Sequence, residues 1–299
     1  MYFKSWADLK IGLILDGGAF GGAYGAGWLK AYDKVFGDKR PYNIQSVSVG
    51  NLNGASFIQY GNARTLLYIW LDLIAKKGPS FIFNRNWKHI FLSHEHLYDS
   101  AGIDFLIDQM DFNEIAKQSL TRFDIIATNQ NTEDREIFST ADEDVKRNPE
   151  ILKKAARASV ALPGVFSSVS ITRNLNGVET TADYSDGYMY SIRYALDIAG
   201  CDIVFICSND PMNHTHRDFR AWYNKFDYSR HLLTKFGIQR ELKKYENDRR
   251  VVLLRLEEGV PTLRNDVFEK GDIEKAINMA YEAGVRILGR KYNELTSDS

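Results

Sequence analysis

Three separated segments carry groups that together could break and remake an acyl ester. Ser48, in Ser46-Val47-Ser48-Val49-Gly50, offers a hydroxyl nucleophile. Asp186, followed by Gly187, offers a carboxylate to take its proton, and Asp16-Gly17-Gly18-Ala19-Phe20-Gly21-Gly22 offers a run of backbone amides. A serine hydroxyl is a weak nucleophile unless a base stands within hydrogen-bond reach and its position is fixed. Attack on a carbonyl builds negative charge on oxygen, which N–H groups at the start of a helix can receive, and glycines let the backbone approach closely. These residue types therefore allow hydrolysis or transfer of an acyl group.

Such groups must be delivered to one place by the elements around them. Ile11 to Leu15 is a short apolar run ending in glycines, the pattern of a buried strand entering a tight turn, and Gly22 to Phe36 carries small and apolar residues at helical spacing. Asn43 to Val49 reads as a second strand and Leu52 to Tyr60 as a helix, so Ser48 falls on a strand-to-helix turn, the geometry of a nucleophile elbow. Gly50 removes bulk two residues after Ser48, but Ser46 stands where a G-x-S-x-G elbow has its first glycine. Residues 62–77, 99–118 and 149–160 read as helices, and 123–128 and 135–139 as strands. Residues 165–171 and 178–181 read as strands paired across Asn174-Leu175-Asn176-Gly177, 202–208 and 251–256 as buried strands, and 271–292 as a closing helix. This alternation predicts an α/β fold with a mostly parallel sheet covered by helices on both faces, which would gather all three segments at one sheet edge. No linker or internal repeat divides the chain, so residues 1–299 read as one domain.

Composition narrows the partners. With 299 residues, 44% of them apolar, the chain can bury a large core, and its net charge of -1 gives no basic field to collect nucleic acid. Cys201 and Cys207 lie close together in an apolar run, which fits reduced core thiols in an intracellular protein better than a disulfide. Met1 to Lys10 lacks a secretory pattern, and an apolar stretch such as Leu66 to Ala75, broken by Asp72, is too short to cross a bilayer of about 30 Å. The expectation is a cytoplasmic protein whose membrane contact, if any, is peripheral.

The order of these segments resembles the patatin-like phospholipases. Leu13 to Leu29 looks like that family's glycine-rich oxyanion block, and Ser46 to Ala55 is similar to its nucleophile elbow and following helix. Ala155-Ala156-Arg157-Ala158-Ser159-Val160-Ala161-Leu162-Pro163-Gly164-Val165-Phe166 resembles the segment that precedes the acid, and Asp186-Gly187-Tyr188 matches two of three places of its D-G-G or D-G-A motif. The resemblance implies a three-layer α/β/α sandwich and lipid acyl-ester hydrolysis through an acyl-enzyme. Ser48 would be the nucleophile, Asp186 the proton acceptor, and the amides of Gly17, Gly18 and Ala19 the oxyanion donors, with no metal or organic cofactor and no catalytic histidine. Its substrate would be a lipid or other acyl ester.

Departures from the family pattern are concentrated at the site. Ala19 replaces a third glycine, Gly21 an arginine or lysine, Ser46 the first elbow glycine, and Tyr188 a small residue. A methyl at Ala19 would misaim one amide if that position needs positive φ, and without a cation at position 21 neutral or zwitterionic esters are the better-suited substrates. The contrasting reading is a weak or silent patatin-like lipid-binding protein. A nucleotide-binding loop ranks third, because the G-x-G-x-x-G pattern lacks its middle glycine and the Walker pattern its lysine. Among lesser candidates, His94-Glu95-His96 lacks a third metal ligand, His214 and His216 follow a loop signal, and Asp183 lacks the adjacent glycine of Asp186. The basic-aromatic stretches Phe219 to Phe236 and Phe81 to Leu92 read as a core-facing amphipathic helix, with an interfacial helix as the rival, and as a lid segment.

Overall fold

Along Ile11–Leu15 every position is buried, and alternate side chains enter different cores, Ile11, Leu13 and Leu15 on one face of the sheet and Ile14 on the other. Burial on both faces is what a continuous apolar run predicts for a central parallel strand. The structure, a computed structural model, describes residues 5–85, 98–175, 177–209, 236–256, 263 and 268–297. Its strands are β1 (Ile11–Leu15), β2 (Asn43–Val47), β3 (Asn84–Arg85), β4 (Tyr98–Asp99), β5 (Arg122–Asn129), β6 (Arg135–Ser139), β7 (Val169–Leu175), β8 (Val178–Asp186), β9 (Ile203–Cys207) and β10 (Val251–Leu254). The helices that matter most for the site are α1 (Gly22–Phe36), α2 (Gly50–Tyr60), α3 (Glu150–Val160) and α4 (Lys270–Ser297).

Strands β10, β9, β1, β2 and β5 run parallel in that order, β6 and β8 pair with β5 antiparallel, and β7 pairs antiparallel with β8 at the sheet's edge. The sharing of β5 decides where the chain's chemistry can meet. β6 pairs with β5 over Asp124 to Thr128. β2 pairs with β5 up to Val47 opposite Ile126, and β8 pairs with it from Asp186 opposite Ala127. A strand has only two edges, and β6 holds one of them throughout, so β8 takes over the edge of β5 that β2 vacates. The ends of β2 and β8 therefore meet head-on along one line.

Helices cover both faces. On the larger core, α4 lies along α1 through small residues: a methyl on Gly27 would sit 2.3 Å from the carbonyl oxygen of Ile277, and one on Gly284 would sit 2.6 Å from Ala31 Cβ. On the other face Tyr190, Ile192, Ala195 and Leu196 pack on Ile14, Ile126, Val204 and Ile206, joined by Ile238 and Leu242 of the helical residues 236–244. Among the described residues, no helix is long and apolar enough to cross a membrane. Both cysteines are buried free thiols, as expected, and burial foremost pushes Cys201 up to about 12.

Three expected elements come out differently. The strand read over 165–171 is Val169–Leu175, so Asn174 and Leu175, read as turn, are the last paired residues of β7. The helix read over 99–118 is two, Ala101–Ile107 and Phe112–Lys117, because the Asp111 carboxylate caps the second by accepting the Asn113 and Glu114 N–H groups. The strand read over 178–181 runs on to Asp186, because its last residues pair with β5. All six histidines lie outside the described residues, as do most of Phe219 to Phe236 and residues 86–92 of the lid segment.

Candidate active site

Ser48 follows β2 with φ 52°, so the chain reverses sharply before α2 begins at Gly50. Such a left-handed conformation is strained for a residue with a Cβ, and surrounding contacts must impose it. Ser159 near the end of α3 accepts the Ser48 N–H at 2.9 Å. Ser46, fully buried, donates to Asn51 Oδ1 at 2.6 Å, joining the strand to the first turn of α2. Gly50 is required by contact: a methyl there would lie 2.4 Å from the carbonyl oxygen of Leu15. The serine that replaces the first elbow glycine thus adds a hydrogen bond across the turn.

Asp186 arrives from the opposite direction at the same line. Its N–H donates to the Ala161 carbonyl at 2.9 Å, its carbonyl accepts from Thr128 Oγ1 at 2.8 Å, and its Oδ1 accepts the Tyr188 N–H at 2.8 Å. Residues 159 and 161, in the segment singled out from the sequence, therefore hold the backbones of both Ser48 and Asp186. Gly187 must be glycine, since a methyl would lie 2.3 Å from the Ile126 carbonyl oxygen and 3.0 Å from Val47 Cγ2. Tyr188 then adopts φ 54°, a position where a side chain is strained. Asp183, three residues earlier in β8, is exposed and away from this junction.

The glycine run closes over the elbow. A methyl on Gly17 would sit 3.1 Å from Ser48 Cβ and 3.8 Å from Ser48 Oγ, so the backbone passes directly beside the hydroxyl-bearing residue. Contrary to the expected donor role, the Gly17 N–H is turned back onto Asp16 Oδ1 at 2.9 Å. The N–H groups of Gly18 and Ala19 meet no acceptor among the described residues. Gly18 has φ 123° and Ala19 φ 47°, so the alanine occupies the positive-φ position where a methyl is unwelcome. Asp16 is buried at 4% exposure, and its charge, after burial itself, pushes the buried Tyr190 hydroxyl well above the usual tyrosine range.

Sequence reasoning missed two supports of this arrangement. Ser159 lies inside the family-like segment with no mark of its own, and Asn209 carries none at all. Asn209 is 7% exposed and donates through Nδ2 to the carbonyls of Asp16 at 2.7 Å and Gly17 at 3.1 Å. A methyl on Gly21 would lie 3.1 Å from the Asn209 backbone oxygen, which gives position 21 little room for the cation seen elsewhere in the resembling family. Among the described residues no group of three His, Cys, Asp or Glu side chains is placed to hold a metal ion.

No curated protein matches the chain. Among solved structures, VipD from Legionella pneumophila is similar at 12% identity and a TM-score of 0.44, over 94% of this chain and 67% of that one. The family model for patatin-like phospholipase matches residues 13–196, which contain the glycine run, the Ser48 elbow, the Ser159 segment and Asp186. With more than half of its length matched, the chain belongs to the patatin-like phospholipases, a family of lipid acyl hydrolases.

Proposed function

We propose that the protein cleaves lipid acyl esters through a serine–aspartate pair, Ser48 and Asp186, with the N–H groups of Gly18 and Ala19 receiving the oxyanion. The observation that carries this reading is the head-on meeting of β2 and β8 on one edge of β5, which brings Ser48 and Asp186 to one junction beside Gly17. In the first step the Ser48 hydroxyl attacks the ester carbonyl carbon while Asp186 takes its proton. The resulting alkoxide is stabilised by the two amides, and collapse breaks the bond to the leaving alcohol, which recovers the proton from Asp186. Water then attacks the acyl-Ser48 ester by the same route, releasing the carboxylic acid and restoring the hydroxyl. The alanine at φ 47° favours a second reading, a lipid-binding protein of this family with a slow or silent site, because a strained donor is easily misaimed.

A fluorophosphonate probe separates the two. Labelling at Ser48, lost in Ser48→Ala and in Asp186→Asn, together with release of acid from short-chain esters, is the expected result. A folded protein that neither labels nor turns over esters would overturn the proposal in favour of the binding reading.

A further inference from the structure

We propose that Asn209 is a positioning residue that aims the Gly18 N–H, an inference that rests on the acyl-transfer reading above. Asn209 lies two residues past β9, where its neighbour Ser208 is held on both sides: the Ser208 N–H donates to Leu254, and its carbonyl accepts from Trp28 Nε1 at 2.9 Å. From this fixed stem the side-chain amide reaches under the glycine run and donates to two successive carbonyls, those of Asp16 and Gly17. Gly25 makes the room, since a methyl there would lie 3.1 Å from Asn209 Oδ1 and 2.5 Å from Asn53 Nδ2.

The orientation follows from the geometry of the peptide bond. The Gly17 carbonyl and the Gly18 N–H belong to one planar trans unit and point in opposite directions. With the carbonyl drawn down onto Asn209, the Gly18 N–H is turned away from it, and no described residue accepts that N–H. Glycine at φ 123° could otherwise swing this peptide over with little resistance, because no Cβ opposes the rotation. The cost of the arrangement is visible at the other end of the side chain, where Asn209 Oδ1 is buried and has no hydrogen-bond partner among the described residues. Turning the amide over would not relieve this, because Oδ1 would then face two carbonyl oxygens. A side chain kept there with one buried acceptor unmet is explained by what its two donors hold in place.

The test compares Asn209→Ala and the nearly isosteric Asn209→Leu with wild type on p-nitrophenyl butyrate and on the corresponding thionoester. Sulfur is a poor acceptor for oxyanion donors, so the ester-to-thionoester ratio of kcat/KM reports how well those donors are aimed. The expected result is a fall in kcat toward the roughly 100-fold known for loss of one oxyanion donor, little change in KM, and a matching fall in the ratio. Asn209→Leu keeps a side chain of nearly the same shape against Gly18, Gly21 and Gly25 while removing both donors and adding no charge, so it gives the answer if the alanine variant melts early. A lowered kcat with an unchanged ratio, or an unchanged kcat, overturns the positioning role while leaving the Ser48 reading intact. A wild-type protein that turns over neither ester overturns that reading, and this inference with it.

Discussion

Replacing Ala19 with glycine should leave the protein as stable as before or slightly more so, although this change is ordinarily destabilising. Ala19 sits at φ 47°, and the left-handed conformation costs an L-residue about 1–2 kcal/mol that glycine avoids. Two terms oppose the gain: about 0.4–1 kcal/mol from the freer unfolded chain, and about 0.4 kcal/mol for removing a methyl that is only half-buried. The balance centres near 0.4 kcal/mol, or about zero within its spread, in favour of the variant. The same substitution at Ala31, fully buried in α1, should instead lose about 1 kcal/mol of helix propensity and about 0.8 kcal/mol of burial. The two variants therefore differ by about 2 kcal/mol, which for a chain of 299 residues separates their melting temperatures by about 3 °C. Thermal unfolding followed by circular dichroism reads the difference, and ester turnover by Ala19→Gly should equal or exceed that of wild type. Melting of Ala19→Gly as early as Ala31→Gly would refute the strain argument and with it the explanation of a weakened donor.

Other substitutions probe the remaining supports. Ser159→Ala removes the acceptor of the Ser48 N–H, and an unmet buried donor costs about 1–3 kcal/mol; the rate of fluorophosphonate labelling should fall about tenfold or more while the fold survives. Gly187→Ala forces a methyl toward the Ile126 carbonyl and should cost about 1–3 kcal/mol of stability and most of the activity, measured by melting and ester hydrolysis. Away from the site, Arg173 holds Asp144 by two hydrogen bonds; burial pushes that carboxyl up, but the Arg173 bonds and charge more than reverse this and hold it below its ordinary value. A lowered folded pKa stabilises above the unfolded value of about 3.9 and loses that contribution as pH falls through the folded value. Melting temperature should therefore drop between about pH 5 and pH 2 in wild type, and less steeply in Arg173→Met.

The local pieces of the site were legible because each depends on a few neighbouring residues. The strand before the glycines and the strand-to-helix turn around Ser48 stand where apolar runs and turn residues put them, and the pairing of the two strands around Gly177 does too, although the first of them runs on through Asn174 and Leu175. The division of residues 99–118 was also written in the chain, since Asp111 followed by Glu114 is a helix-starting pattern that the apolar spacing obscured. The tail of β8 was not legible: Ala182-Asp183-Tyr184-Ser185-Asp186 has no strand-like alternation, and it pairs because β2 leaves the β5 edge open there. Asn209 and Ser159 were hidden for the same kind of reason. Each acts on a partner more than 100 positions away, and an asparagine after a strand or a serine late in a helix carries no local mark of that task.

Because two oppositely running strands abut at the reactive junction, the protein should accept insertions very unevenly along its chain. Extra residues at the exposed tip between Leu175 and Val178 would lengthen the hairpin and leave the pairing of Asp186 with Ala127 untouched. A single residue added between Tyr184 and Asp186 would rotate the carboxylate to the opposite side of the sheet. The far end of this hairpin is therefore free to grow, while the last few residues before Gly187 are locked to a fixed count.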